Sequence, residues 1–412
     1  MNTGGRWERR FEGLQPLIRS LRTGTGKSAL ILPASLLFYI GLGLASFAMI
    51  FYARDVFRAP TSLIGWLAAL PQLCYFSGCF LFQPLLGALL PRHYLVIATA
   101  CAAALLGGIL LAPSLALVFV LYGLFGLSFS LFWPPLMGWM AFGKEDRALN
   151  RDLGRFNLTW NTGNIISPYW AGVLLEREIS LPFKVAALAM AATCLFVLAG
   201  SAALPRVRRD REREPRKKKE AGSEDRSTPL RFPSWIGLFA SYVVLGVLIS
   251  IFPLFLRDKL MIPENRIGLL LLLRALLTTF GFFLLGRLAF WHFKPWPMLL
   301  GQGLTALLLA VMTRLQTAPA LALALAVFGL LFSLSYNESL FHGVAGSRRR
   351  SARMAVHEGL LTAGMVCGAS GGGLLYQFAN FRIVLLFCCL LVAAAFLAQT
   401  VLVLSLRGRQ VR

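Results

Sequence analysis

Residues 125–143 read FGLSFSLFWPPLMGWMAFG and residues 328–346 read FGLLFSLSYNESLFHGVAG, an ungapped correspondence at an offset of 203. Farther along, Gly163, Gly172 and Leu174 meet Gly364, Gly373 and Leu375 at an offset of 201. Half of the 412 residues is 206, so two copies of one unit account for the chain. A duplicated unit of several helices supplies two rigid bodies able to rock about a shared site near a bilayer midplane.

Composition identifies the unit as a membrane one. Hydrophobic residues make up 57% of the chain and charged residues 14%, far from the balance of a soluble domain. A membrane span takes about 20 apolar residues, and the apolar content suffices for twelve. The pattern predicts an all-α polytopic membrane protein with helices near 30–52, 62–83, 94–112, 115–137, 155–175, 183–204, 233–255, 266–289, 297–313, 319–341, 355–377 and 382–405. The expected organisation is an N-terminal segment (1–29), a six-helix bundle (30–204), a basic linker (205–232), a second six-helix bundle (233–405) and a short tail (406–412).

Charge orients these spans. The segment before the first span carries six basic residues, Arg6 to Lys27, and lacks the short apolar core and small-residue cleavage site of a secretory signal, so the first helix is expected to be retained. Placing both termini in the cytoplasm assigns 31 of the 41 Lys and Arg to cytoplasmic segments, nine to external loops and one, Arg274, to a span. This agrees with the positive-inside bias and predicts a multi-pass protein of the cell membrane. The net charge of +23 is then a matter of topology. Nucleic-acid binding is the competing reading of a basic chain; it is set aside because no soluble folded domain remains to carry it. The linker, with eleven basic and six acidic residues between 206 and 231, reads as a solvated tether that can rest on anionic headgroups. All seven cysteines lie in apolar stretches without metal-type spacing, so neither cofactor nor metal is expected.

Two local motifs sharpen the reading. Around the fifth span, Gly154, Gly163, Ser167, Pro168, Ala171 and Gly172 follow the spacing G-x8-G-x3-G-P-x2-G-G, with Ser and Ala at two glycine positions. The eleventh span offers Gly364, Gly368, Ala369, Gly372 and Gly373 without the proline. This pattern resembles the fifth-helix antiporter motif of the major facilitator superfamily, and its physical content is small-residue packing between helices that approach closely. The superfamily's loop motif after the second span is poorly kept: Gly87 and Arg92 fit, but Pro91 stands at the acidic position and Tyr94 at a glycine. After the eighth span Gly286 and Arg287 fit, with Phe290 at the acidic position. A mixed-charge cluster from Lys144 to Arg155 is a candidate replacement for the missing charge lock. The resemblance implies two pseudo-symmetric six-helix bundles, a central cavity opening alternately to each side and transport of a small solute; the expected state is a monomer in the lipid bilayer.

Polar groups at membrane depth form the shortlist for function, because burying them in hydrocarbon costs several kcal/mol. Arg274 lies about 12 Å into the eighth span at 1.5 Å per residue. It either faces the cavity, where a guanidinium holds a carboxylate or phosphate, or snorkels to the interface. Asn157, Asn161 and Asn164 fall on one face of the fifth helix and either line the cavity or bond a neighbouring helix. Glu338 and Glu358, near cytoplasmic helix ends, serve either as a gate with Arg348, Arg349, Arg350 or Arg353, or as a proton-coupling carboxylate. His357 and His342 titrate in a useful range, or are solvated bystanders. The resemblance places Trp133, its repeat equivalent Tyr336, and Tyr39 beside the cavity; packing is their alternative role.

The expected function is secondary transport of a small organic solute, anionic or zwitterionic if Arg274 faces the cavity. The motif favours proton-coupled efflux; the lack of a deep carboxylate favours uniport. The alternatives are a membrane-embedded transferase, which would want a constellation of acids or histidines at one face, and a sensor or lipid-handling protein on the same fold.

Overall fold

The computed structural model describes residues 26–85, 88–141, 146–203, 227–347 and 350–410. The first six long helices are Gly26–Val56, Thr61–Leu81, Pro91–Leu110, Leu115–Ala141, Asp146–Leu175 and Leu181–Ala203. The seventh runs Arg231–Ser250 and resumes as Phe252–Asp258. Glu264–Leu285, Pro295–Met312, Ala318–Val344, Arg350–Phe378 and Phe381–Gln410 complete the set, and among the described residues there is no strand. Proline starts or immediately precedes several helices, at Pro60, Pro91, Pro263 and Pro295, where its missing N–H costs no helical hydrogen bond. The break at Ile251 has the same origin. Pro253 can neither donate into the ladder nor pack against the preceding turn.

Among the described residues, eleven helices are long and apolar enough to cross a membrane. The fifth is the exception, because Asn157, Asn161 and Asn164 dilute its apolar content. It begins at Asp146, nine residues ahead of the expected start, so part of the mixed-charge segment is helical. Its polar face is sheltered by packing against the first and eighth helices.

The repeat written in the sequence recurs in the packing. A Cβ at Gly126 would overlap the backbone of Pro71, and one at Gly329, 203 residues on, would lie 2.5 Å from the carbonyl oxygen of Arg274, itself 203 residues after Pro71. Gly78 fits against Ser130, and Gly281 against Ser333. Gly163 leaves room for the Cβ of Tyr39 (3.0 Å), and Gly364 for that of Tyr242 (2.7 Å). Each pair of pairs is related by the repeat offsets, so the halves share one internal architecture.

The halves meet along two seams, the second helix against the eleventh and the fifth against the eighth. At one end both seams close on glycine. A side chain at Gly172 would strike the backbone of Glu264, and one at Gly268 the backbone of Pro168. The equivalent seam brings Gly373 against Thr61 and Gly65. The glycine motifs of the fifth and eleventh helices thus divide their labour. Gly163, Ser167, Gly364, Gly368 and Gly372 pack within a half, whereas Gly172 and Gly373 pack between halves. The surroundings of Gly154 lie outside the described residues.

Charge reinforces the same end. Arg257 forks onto Asp55 at 2.7 and 2.9 Å and contacts Asp258 (3.1 Å) and Glu264 (3.6 Å). Arg54 pairs with Asp258 at 3.3 Å. Asn265 donates from its backbone and side-chain nitrogens to Glu176, and the Ser62 N–H donates to Gln377. Partly exposed pairs of this kind are worth about 0.2–1 kcal/mol each. This sealed end holds the loops after the first, fifth, seventh and eleventh helices.

The loops at the other end are held by aromatic groups. Tyr94, at the glycine position of the family loop motif, bonds both Leu85 O and Leu89 N–H. Arg287 lies 3.9 Å above the Phe283 ring. Gly87 and the residues Lys144 and Glu145 lie outside the described residues.

Candidate functional site: an aromatic cluster with one guanidinium and one carboxylate

Around mid-depth, side chains from both halves converge. In the first half Tyr39 lies against Trp133 (5.8 Å between ring centroids) and Trp160 (5.2 Å), and Trp133 meets Phe156 edge-on at 6.0 Å. In the second half Tyr336 contacts Phe282 (5.2 Å) and meets His357 edge-on at 5.1 Å, while Tyr242 packs on Phe332. The two walls are repeat images. Tyr39 corresponds to Tyr242 and Trp133 to Tyr336 at 203, and Phe156 to His357 at 201. The four rings of Tyr39, Trp133, Tyr242 and Tyr336 keep part of their surface accessible although they sit inside the molecule.

Arg274 reaches into this cluster. It is 7% exposed, and among the described residues its Nε has no hydrogen-bond partner and it makes no ion pair. Its guanidinium lies within electrostatic reach of Tyr39 and Tyr242. The side chain therefore points between the halves and does not snorkel. Among the described residues the other charge of the cluster is Glu358, exposed and within electrostatic reach of Tyr75, Tyr242 and Tyr336. Tyr242 is near both charges.

The amides divide. Asn161 is buried and donates through Nδ2 to Thr279 Oγ1 at 2.6 Å, across the seam between fifth and eighth helices. Its repeat image Thr362 accepts from Gln72 Nε2 at 3.4 Å across the other seam. Asn161 is thus an inter-half tie. Asn164 is half-buried, and the side chain of Asn157 lies outside the described residues.

Of the gate expected between acids and arginines, Glu338, Glu358 and Arg353 lie among the described residues. Glu338 is 2% exposed, and among the described residues neither Glu338 nor Glu358 makes an ion pair. Arg353 lies 6.0 Å from the Trp235 ring centroid, and Arg348 and Arg349 are outside the described residues. The histidines are buried and not solvated. His342 accepts from the Phe293 N–H through Nε2 and pairs through Nδ1 with Ser234 at 2.9 Å. His357 pairs through Nδ1 with Ser339 at 2.9 Å.

Tyr242, Tyr75 and Trp160 belong to the cluster without having been singled out in the sequence. The offset of 203 from Tyr39 points to Tyr242. Nothing in the local sequence marks the other two.

Two repeated helical bundles around a polar, partly accessible cluster define a membrane transporter. The chain belongs to the Major Facilitator Superfamily, whose family model matches residues 31–337 and 234–411. A bacterial homologue of the human lysosomal transporter Spinster, solved in an inward-facing and occupied conformation, superposes with a TM-score of 0.72 at 11% identity, covering 92% of this chain and 97% of that one. Its unoccupied inward-facing form gives 0.73 at 13% identity, over 92% and 98%. The nucleoside transporter NupG gives 0.69 at 12% identity, over 91% and 98%. These identities speak for the fold alone. No curated protein sequence matches the chain.

Proposed function

We propose that the protein moves a small zwitterionic organic solute across the cell membrane by alternating access. The observation that carries this reading is the placement of Arg274 and Glu358 on one aromatic cluster, with Tyr242 near both. A buried guanidinium without a counter-ion is a costly arrangement that an arriving carboxylate or phosphate relieves. Glu358 supplies the opposite pole for an ammonium group, and the tyrosine and tryptophan faces accept the body of the solute. Asn164 lies on the fifth-helix face beside Trp160 and is a further substrate contact.

The distribution of Lys and Arg supports an orientation with the sealed end outside, so that the arrangement corresponds to an inward-open state. Opening the outer end then means parting the glycine seams and the Arg257–Asp55 lock. In this reading Glu358 also takes up a proton when the solute is absent, which gives proton-coupled exchange. Export is the direction that the antiporter-like fifth helix favours.

The test is counterflow in proteoliposomes with a panel of zwitterionic, anionic and cationic metabolites. Zwitterions should exchange fastest. Arg274→Ala should lower uptake about 10- to 100-fold, the value of a charge-assisted hydrogen bond of about 1.5–3 kcal/mol. Glu358→Gln should shift preference from zwitterions towards anions. Flux that is indifferent to Arg274→Ala would overturn the assignment.

A further inference from the structure

A cavity lies away from the aromatic cluster, at the sealed end. It encloses about 1190 Å³ and is walled by the ends of the first, seventh, ninth and eleventh helices and the start of the twelfth. Four cations line it: Arg54 from the last turn of the first helix, Lys259 and Arg314 from the segments after the seventh and ninth helices, and Arg382 from the first turn of the twelfth. One carboxylate, Asp258, faces them, and it is already shared by Arg54 (3.3 Å) and Arg257 (3.1 Å). Lys259, Arg314 and Arg382 are exposed and make no ion pair among the described residues.

This clustering runs against the charge pattern of the chain. Segments at the sealed end carry only nine of the 41 Lys and Arg, yet four of the nine line this cavity. Like charges gathered on one concave wall repel one another and raise the local concentration of counter-anions. The floor is apolar: Phe255 and Phe381 stack at 4.5 Å between ring centroids, and Phe252 adjoins Phe381.

We infer that this cavity binds a phosphate-bearing ligand whose binding favours closure of the sealed end. A phosphate group offers one negative charge as a diester and up to two as a monoester, with acceptor oxygens spread around a tetrahedral centre, which suits three cations converging from different sides better than a planar carboxylate does. The coupling to closure follows from where the wall residues sit. Arg54, Pro60 and Thr61 come from the first half, and Lys259, Arg314 and Arg382 from the second. An anion touching both sets is held only while the halves are together at this end, so its binding shifts the population towards that state. The same chemistry is presented by a soluble phosphate compound and by an anionic phospholipid headgroup, whose chains would run over the aromatic floor.

Purified protein in phosphatidylcholine nanodiscs is titrated with inorganic pyrophosphate, and in parallel assembled with phosphatidylglycerol and examined by native mass spectrometry. Saturable pyrophosphate binding, weakened at least tenfold by Arg314→Gln combined with Arg382→Gln, identifies a soluble phosphate. Retention of phosphatidylglycerol by the native chain and its loss in the same double variant identifies a lipid. Spin labels across the sealed end should report a larger closed fraction with the bound probe than without it. Binding of neither probe, or binding undiminished in a double variant that still shows native transport, would overturn the site. An unchanged closed fraction on binding would overturn the coupling.

Discussion

Tyr39 and Tyr242 occupy one position in the two repeats and both neighbour the Arg274 guanidinium. If both hydroxyls orient Arg274 or touch the solute, Tyr39→Phe and Tyr242→Phe should each raise the KM for counterflow about 2- to 10-fold, the span of a hydrogen bond of about 0.5–1.5 kcal/mol. A result confined to one of the two would show that the site uses only one half. At this scale the sequence was legible where a residue broke a local rule. Arg274 stood out because a charge at membrane depth is rare, and Tyr39, Trp133 and Tyr336 because aromatic residues recur at family cavity positions. Asn161 also broke a rule, but its amide is spent on Thr279 across the seam, and periodicity could not distinguish a seam from a cavity. Tyr75 and Trp160 broke none, since aromatics are ordinary in membrane helices. The histidines read as interfacial because of their sequence depth, while packing beneath neighbouring helix ends buries both.

Helix crossings are set by glycines whose positions repeat. Alanine at Gly172 meets the Glu264 backbone, and alanine at Gly373 meets Thr61 O at 2.6 Å and Gly65 Cα at 3.0 Å, so a helix must shift in either case. Each substitution should bias the molecule away from the sealed arrangement, read as a longer spin-label distance across that end. Gly371→Ala, with open space around it, should leave the distance unchanged. An equal response at all three positions would mean that the shift reflects general loosening of the fold. The twelve helices were legible in composition and in the 203-residue repeat. Their ends were less so, because helices continue past the hydrocarbon-length apolar core: the fifth starts at Asp146 and the twelfth runs to Gln410. The seams were half legible. The glycine spacing announced close packing, but which glycines face the other half depends on helix rotation, which tertiary packing decides.

The whole molecule is held closed at one end by tight seams and modest charge pairs, and its charged aromatic cluster lies between the halves. The lock was invisible in the sequence, because Asp55 and Arg257 are 202 residues apart and look like ordinary loop charges. Asp55→Asn and Arg257→Gln should each raise the open fraction at that end severalfold, and the exchange Asp55→Arg with Arg257→Asp should restore part of the closure. No recovery in the exchanged pair would show that the contact follows closure without contributing to it. The central claim is that Tyr242 and its neighbours line a passage reached from one side of the membrane at a time. Its most direct test is Tyr242→Cys in a chain whose seven native cysteines are replaced, treated with a membrane-impermeant maleimide from each side in turn. Labelling from the cytoplasmic side alone, slowed by a transported solute and gained from the outside when Asp55→Asn is added, is the predicted result. A cysteine that reacts from neither side, or only after the membrane is dissolved, would place this position against lipid or in a solid core and would contradict the account.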